Sequence, residues 1–215
     1  MDASQLSNLA RQMYPGPSGF ARLTQIYRPY ICPFDALIPW IPDQGSILDV
    51  GCGSGLFLGL AFSLKPGITG IGFDANARAI DMAQAMCRSA FNDRSLVFEL
   101  RSVDAPWPDG AFDTVSMIDV LHHIPPENQK KTVEKLFAAL NAGGVLIYKD
   151  MGSEPKLYAW WNRLHDLLFA RQWIHYCPID TVQGWLRDCG ANIVHRSDHR
   201  LGLYKHELII AKKAE

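Results

Sequence analysis

The sequence predicts an α/β fold: a doubly wound, mostly parallel sheet with helices on both faces. Three observations predict it. From residue 46 onward, short apolar or β-branched runs alternate with longer segments of helical periodicity. Those runs are nearly continuous in apolar residues, the pattern of strands covered on both sides. Two further strand-like runs close the chain around a turn, which reads as an antiparallel hairpin at the sheet edge.

Residues 1–45 form an arm. Six of the 13 prolines lie here (Pro15, Pro17, Pro29, Pro33, Pro39 and Pro42) and are expected to cut it into short helical or irregular pieces. Strands follow at 46–50, 68–73, 96–103, 113–118 and 144–149. Between them, three sets fall on single faces of 3.6-residue helices: Leu56, Leu60, Ala61 and Leu64; Ile80, Ala83, Cys87 and Ala90; Val133, Leu136, Phe137 and Leu140. A last helix buries Val182, Trp185, Leu186 and Cys189, with Asp180 or Thr181 as its cap and Gly190 as its left-handed stop. The closing runs are 192–196 and 206–212. The expected organisation is one domain over 1–215: the arm (1–45), a ligand-binding half (46–150), and a Trp-rich helix with the hairpin (151–215).

Composition narrows the function. In 215 residues, 48% are hydrophobic and 20% charged, enough apolar material for one core and too much for a disordered chain. The formal net charge of −1 argues against a dedicated nucleic-acid binder, which carries a clear basic excess, so no nucleic-acid partner is expected. No 18-residue uncharged apolar stretch is present to span a membrane, and the first residues lack the basic and apolar regions of a secretory signal. The five cysteines are odd in number and contain no C-x-x-C pair, which fits a reducing cytoplasm and gives no metal framework.

The chemistry is concentrated after the first strand, in Ile47-Leu48-Asp49-Val50-Gly51-Cys52-Gly53-Ser54-Gly55. Alternate glycines let the backbone turn sharply and let a ligand approach without Cβ atoms in the way. The helix that follows offers free N–H groups to a polar ligand. A dinucleotide loop reads G-x-G-x-x-G; here Leu56 stands where its last glycine would be. Asp49 would repel a pyrophosphate but would accept from an ammonium or from the loop's own amides. Both features disfavour a nicotinamide oxidoreductase and favour a zwitterionic ligand. Asp74, at the end of the second strand and 19 residues beyond Gly55, can take both hydroxyls of a ribose, or else cap the helix beginning near Ala77. Asp104 can accept from an adenine amino group while the Ala105 amide meets a ring nitrogen. The fourth strand runs into Asp119-Val120-Leu121-His122-His123, where side chains line the crevice of an open α/β sheet.

Together, Asp49-x-Gly51-x-Gly53-x-Gly55, Asp74, Val103-Asp104-Ala105 and the run 112–123 resemble the ordered motifs of class I S-adenosylmethionine-dependent methyltransferases. The resemblance covers about residues 46–150 and implies a Rossmann-like, seven-stranded sheet with a reversed last strand. The stretch 104–112 is shorter than that family's usual connection. By the resemblance, S-adenosylmethionine is the cofactor: Gly51, Gly53 and Gly55 cradle its methionine part, Asp74 holds the ribose, Asp104 reads the adenine beside Ala105, and Cys52 and Ala75 are counted among the cofactor-binding residues. Asp49 would lie near the methionine ammonium and Asp119 at the border with the acceptor. Tyr27 and Arg28, on the arm, are candidates for the methionine carboxylate.

For the reaction, His122 and His123 are candidate bases, since a neutral imidazole removes a proton near pH 7. Their alternative role is structural, and as neighbours only one would face the crevice. His195 and His199 are spaced i, i+4 on a segment that does not read as helix, so no metal site is expected. Segment 156–176, with Tyr158, Trp160, Trp161, Phe169, Trp173 and Tyr176, is either core or a wall for a hydrophobic or aromatic acceptor. The expected function is methyl transfer to such a small-molecule acceptor, O-methylation foremost, with a carrier-bound or lipid-like substrate and peripheral membrane contact allowed. The alternative is a catalytically silent cofactor-binding module acting through a protein partner.

Overall fold

A computed structural model describes residues 1–16, 19–91, 95–152, 174–201 and 204–215. Seven strands form one sheet: β1 (Gln44–Val50), β2 (Gly67–Asp74), β3 (Leu96–Leu100), β4 (Phe112–Ile118), β5 (Leu140–Met151), β6 (Asn192–Leu201) and β7 (Tyr204–Lys212). Their order is β3-β2-β1-β4-β5-β7-β6. The first five are parallel, and β7 pairs antiparallel with both β5 and β6. The reversed last strand thus lies inside the hairpin edge, and β6 is outermost.

The helices are α1 (Ala3–Met13), α2 (Phe20–Tyr27), α3 (Phe34–Leu37), α4 (Leu56–Leu64), α5 (Ala77–Ala90), α6 (Pro126–Ala138) and α7 (Ile179–Asp188). Strand alternation explains the two cores. Ile47, Ile147, Leu208 and Ile210 point to one face, where α1, α3, α4 and α5 pack; Leu48, Leu146, Ile209 and Ala211 point to the other, under α6 and α7. Helix α4 is apolar on nearly every side because the sheet lies below it and α1 above it.

Several boundaries differ from the sequence expectation. Helix α1 is a full 11 residues, because the prolines begin only at Pro15 and Asp2 and Gln5 close a capping box. Strand β3 stops at Leu100, and Leu140 opens β5 instead of ending α6. Helix α7 starts at Ile179 behind Pro178, so Asp180 lies inside its first turn, where it pairs with Arg196. The hairpin strands extend to Leu201 and from Tyr204, leaving a shorter turn than the sequence suggests. Most of the Trp-rich stripe, 153–173, lies outside the described residues.

Candidate functional site

The connections from β1 and β4 diverge to opposite faces of the sheet, and the crevice this opens lies at the strands' carboxyl ends. It holds a cavity of about 810 Å³, within the range of small-molecule sites. The glycine loop, Asp49, Asp74, Asp104, Asp119, His123 and the arm residue Arg28 all line it.

The loop is held in shape from below. Gly51 and Cys52 both donate their N–H to the Phe73 carbonyl, at 2.9 and 3.0 Å, stitching the loop to the end of β2. Gly51, Gly53 and Gly55 adopt φ of 73°, 55° and 80°, the left-handed region that side chains resist. At Gly51 a Cβ would come within 2.4 Å of the Val120 side chain, whereas at Gly53 it would meet nothing within 4 Å. The first glycine therefore serves packing, and the second leaves its space to the cavity. Gly53 donates to Asp74 Oδ2 at 2.9 Å, and Asp74 Oδ1 accepts from Asn76 N–H at 2.8 Å. The cap of α5 is Asn76, which accepts from Arg78 and Ala79; Asp74 faces the cavity instead. From the arm, the buried Tyr14 hydroxyl donates to the Ser54 carbonyl at 2.7 Å and braces the loop from above.

Asp49 lies beneath this loop, 2% exposed, accepting from Ser116 Oγ at 2.7 Å. Burial pushes its carboxyl up to about 7, helped by Asp74 and opposed by Ser116 and Arg28. Two signs follow. Relative to the unfolded chain, the folded protein loses stability as pH rises from about 4 through 7, while Asp49 ionises under the loop. A cationic ligand, in contrast, binds the ionised form. Affinity for an ammonium-bearing ligand should therefore fall progressively below pH 7, by at most roughly tenfold per pH unit for one proton, and Asp49→Asn should flatten that profile in a binding titration across pH 5.5–8.5.

At the third loop, Asp104 is exposed and lines the cavity, its N–H donated to Ser102 Oγ at 3.3 Å. Ala105 differs from expectation. Its amide is committed to the Ser102 carbonyl at 3.1 Å, and it does not line the cavity, because β3 ends early and 101–105 curls into a turn. Tyr27 differs too: it is 55% exposed on the outer side of the arm beside Tyr30, while its neighbour Arg28 turns inward. Cys52 and Ala75 line the cavity, and burial raises the Cys52 thiol well above its ordinary range.

Asp119 carries the densest charge contacts. Arg28 Nη2 lies 3.2 Å from its Oδ2 and Lys149 Nζ 2.5 Å from its Oδ1. Burial alone would raise this carboxyl, but the two cations hold it well below the usual range. The two histidine rings lie side by side, centroids 4.1 Å apart, yet only one of them lines the cavity. His122 is 2% exposed and does not line the cavity, its Nδ1 and backbone N–H both on the Asp150 carboxylate. His123 lines the cavity. The catalytic expectation for His122 therefore gives way to a structural role under the 121–123 turn, and His123 is the imidazole in reach of a ligand. His195 and His199 flank Ser197 on β6, at 3.0 and 2.9 Å from its Oγ. Among the described residues no group of three or more His, Cys, Asp or Glu side chains is arranged to hold a metal.

Sequence reasoning missed Tyr14, Asn76, Ser116, Lys149 and Asp150. A signal existed for two of them: Lys149-Asp150 ends the apolar run 145–148 with two charges at the carboxyl end of a strand, an unlikely place for idle charge.

A glycine loop under a helix terminus, with an acid at the tip of each of the first two strands and the cavity between them, defines an α/β protein that binds a nucleoside-bearing cofactor. Residues 23–196 match the methyltransferase domain family, and the chain belongs to it, with the fold of class I S-adenosylmethionine-dependent methyltransferases. It is 31% identical to the tRNA N(3)-cytidine methyltransferase of Danio rerio over 49% of this chain and 31% of that protein. It is 24% identical to the ubiquinone biosynthesis O-methyltransferase of Albidiferax ferrireducens over 73% of this chain and 60% of that one. The magnesium protoporphyrin IX methyltransferase of Synechocystis, solved with bound S-adenosylhomocysteine (SAH), superposes with a TM-score of 0.71 at 19% identity, covering 99% of this chain and 95% of that one. The chain spans only part of the length of the curated relatives it matches, 31% of the tRNA enzyme and 60% of the O-methyltransferase. The tRNA methyltransferases among these relatives correct the expectation that nucleic acid has no part here: near-neutral net charge does not exclude an RNA substrate in this family. Among the described residues no helix is long and apolar enough to cross a membrane.

Proposed function

We propose that this chain transfers the methyl group of S-adenosylmethionine in line to the oxygen of a small hydrophobic or aromatic acceptor. The observation that carries the reading is the cavity's double character. The open space at Gly53 and the carboxylates of Asp49 and Asp74 share it with an apolar wall of Phe34, Ile118 and Ile124 and with one imidazole, His123. The acids suit the cofactor's ammonium and ribose, and the open space suits its methionine part. Arg28 is the cation available for its carboxylate.

When bound, the cofactor supplies an electrophilic sulfonium methyl. The residues of the chain supply position: Asp74 holds the ribose end, Asp49 the ammonium, and the apolar wall fixes the acceptor's orientation. Such alignment can lower a barrier by about 7–11 kcal/mol. His123 takes the proton of a phenol as its oxygen becomes the nucleophile, whereas a carboxylate acceptor is already ionised near pH 7 and needs no base. A cytoplasmic site of action goes with this reading, resting on the scattered cysteines.

The test is transfer from radiolabelled S-adenosylmethionine to a panel of phenols, carboxylates, amines, acyl-carrier conjugates and tRNA. Labelled phenols, carboxylates or carrier conjugates support the reading. Label on tRNA or amines alone overturns it, and cofactor binding without transfer to anything favours the silent module. On a competent phenolic acceptor, His123→Gln should lower kcat by roughly 10²–10⁴ while SAH affinity is unchanged.

A further inference from the structure

Lys149 is the most deeply buried charged side chain near the site, with 0% exposure at the carboxyl end of β5. It does not line the cavity. Its ammonium ends on Asp119 Oδ1, and its own carbonyl accepts the Asp119 N–H at 2.9 Å, so Lys149 grips Asp119 by side chain and backbone together. Asp119 needs such a grip. Among the described residues it is the one non-glycine with positive φ, at 58°, a conformation that persists only where the surroundings impose it. What Asp119 presents outward is its second oxygen, which receives Arg28 from the arm across 91 positions of sequence. A chain of contacts thus runs from β5 through one carboxylate to a guanidinium in the cavity wall.

A buried ammonium behind the cavity lining is retained at a desolvation penalty, and its partner shows what it is there to fix. We infer that Lys149 is a positioning residue: through Asp119 it sets the Arg28 guanidinium at the place where the cofactor-binding cavity is closed by the arm. This rests on the proposed reading of the cavity as an S-adenosylmethionine site, and it assigns the site a residue from the opposite side of the sheet's switch point.

The experiment is a double-mutant cycle read by SAH titration: the wild-type protein, Lys149→Met, Arg28→Gln and the double variant. Lys149→Met should weaken binding about tenfold when Arg28 is present and less than about twofold when it is absent, since neighbours acting through one network are not additive. Equal losses in both backgrounds, or no loss in either, would overturn the inference and leave Lys149 a structural residue. Should Lys149→Met fail to fold, the same cycle run with Asp119→Asn in its place asks whether the carboxylate acts through Arg28, with additive losses counting against the inference. Failure of the wild-type protein to bind SAH would sink the reading of the cavity itself, and is thereby distinguished from a cycle that merely shows no coupling.

Discussion

Gly53→Val should abolish SAH binding while leaving the protein folded. The backbone at Gly53 lies at φ 55°, and a Cβ built there meets no atom of the protein within 4 Å. The added Cβ therefore enters the open space of the cavity that Gly53 lines. Left-handed backbone at a β-branched residue costs about 1–2 kcal/mol, which in a chain of this size lowers the thermal midpoint by roughly 2–8 °C. Gly51→Val is the contrasting variant. Its Cβ would fall 2.4 Å from Val120, so the loop itself must give way, and folding should suffer together with binding. If Gly53→Val bound SAH as the parent does, the loop would not be the cofactor cradle.

The second large effect is expected at Asp74. In Asp74→Ala the loop loses the acceptor of Gly53 N–H and of Asn76 N–H, and a bound nucleoside loses the carboxylate that would take its hydroxyls. Hydrogen bonds to a charged group are worth about 1.5–3 kcal/mol, so SAH affinity should fall between roughly tenfold and a hundredfold. Asn76→Ala separates this from helix capping. It removes the side chain that caps α5, with an expected loss of about 0.5–2 kcal/mol in stability, and, although Asn76 also lines the cavity, it carries no charge for the ligand's hydroxyls and should lower affinity less than Asp74→Ala does. A loss of affinity in Asn76→Ala as large as or larger than that in Asp74→Ala would return Asp74 to a minor role in the turn.

Much of this was legible in the sequence because it rests on local rules. The strand–helix alternation and the doubly apolar strands specify a covered parallel sheet, and the spacing of Asp49, Gly51, Gly53 and Asp74 places these four at the crevice, whereas Gly55, expected with them, packs instead against Phe98 and Ala83. The remainder depends on tertiary closure. Nothing in the local pattern around Ala105 shows that its amide will be taken by Ser102, and nothing near Tyr27-Arg28 shows which of the two will turn inward. The His122-His123 pair displays the boundary well. Adjacency alone does not show which ring meets the cavity; that is decided by Asp150, a residue of β5 that takes both the ring and the backbone N–H of His122. Tyr14 was invisible for the same reason, and of Lys149 the sequence showed only an out-of-place charge and not its partner: each acts on the loops of the site across tens of residues of chain.

The central claim is that the crevice above Asp49 and Asp74 binds an adenosyl amino acid, and isothermal titration of the intact protein with SAH tests it most directly. One site per chain, with affinity that weakens below pH 7 and vanishes in Gly53→Val, is the predicted result. A flat titration at every pH for both S-adenosylmethionine and SAH would contradict it.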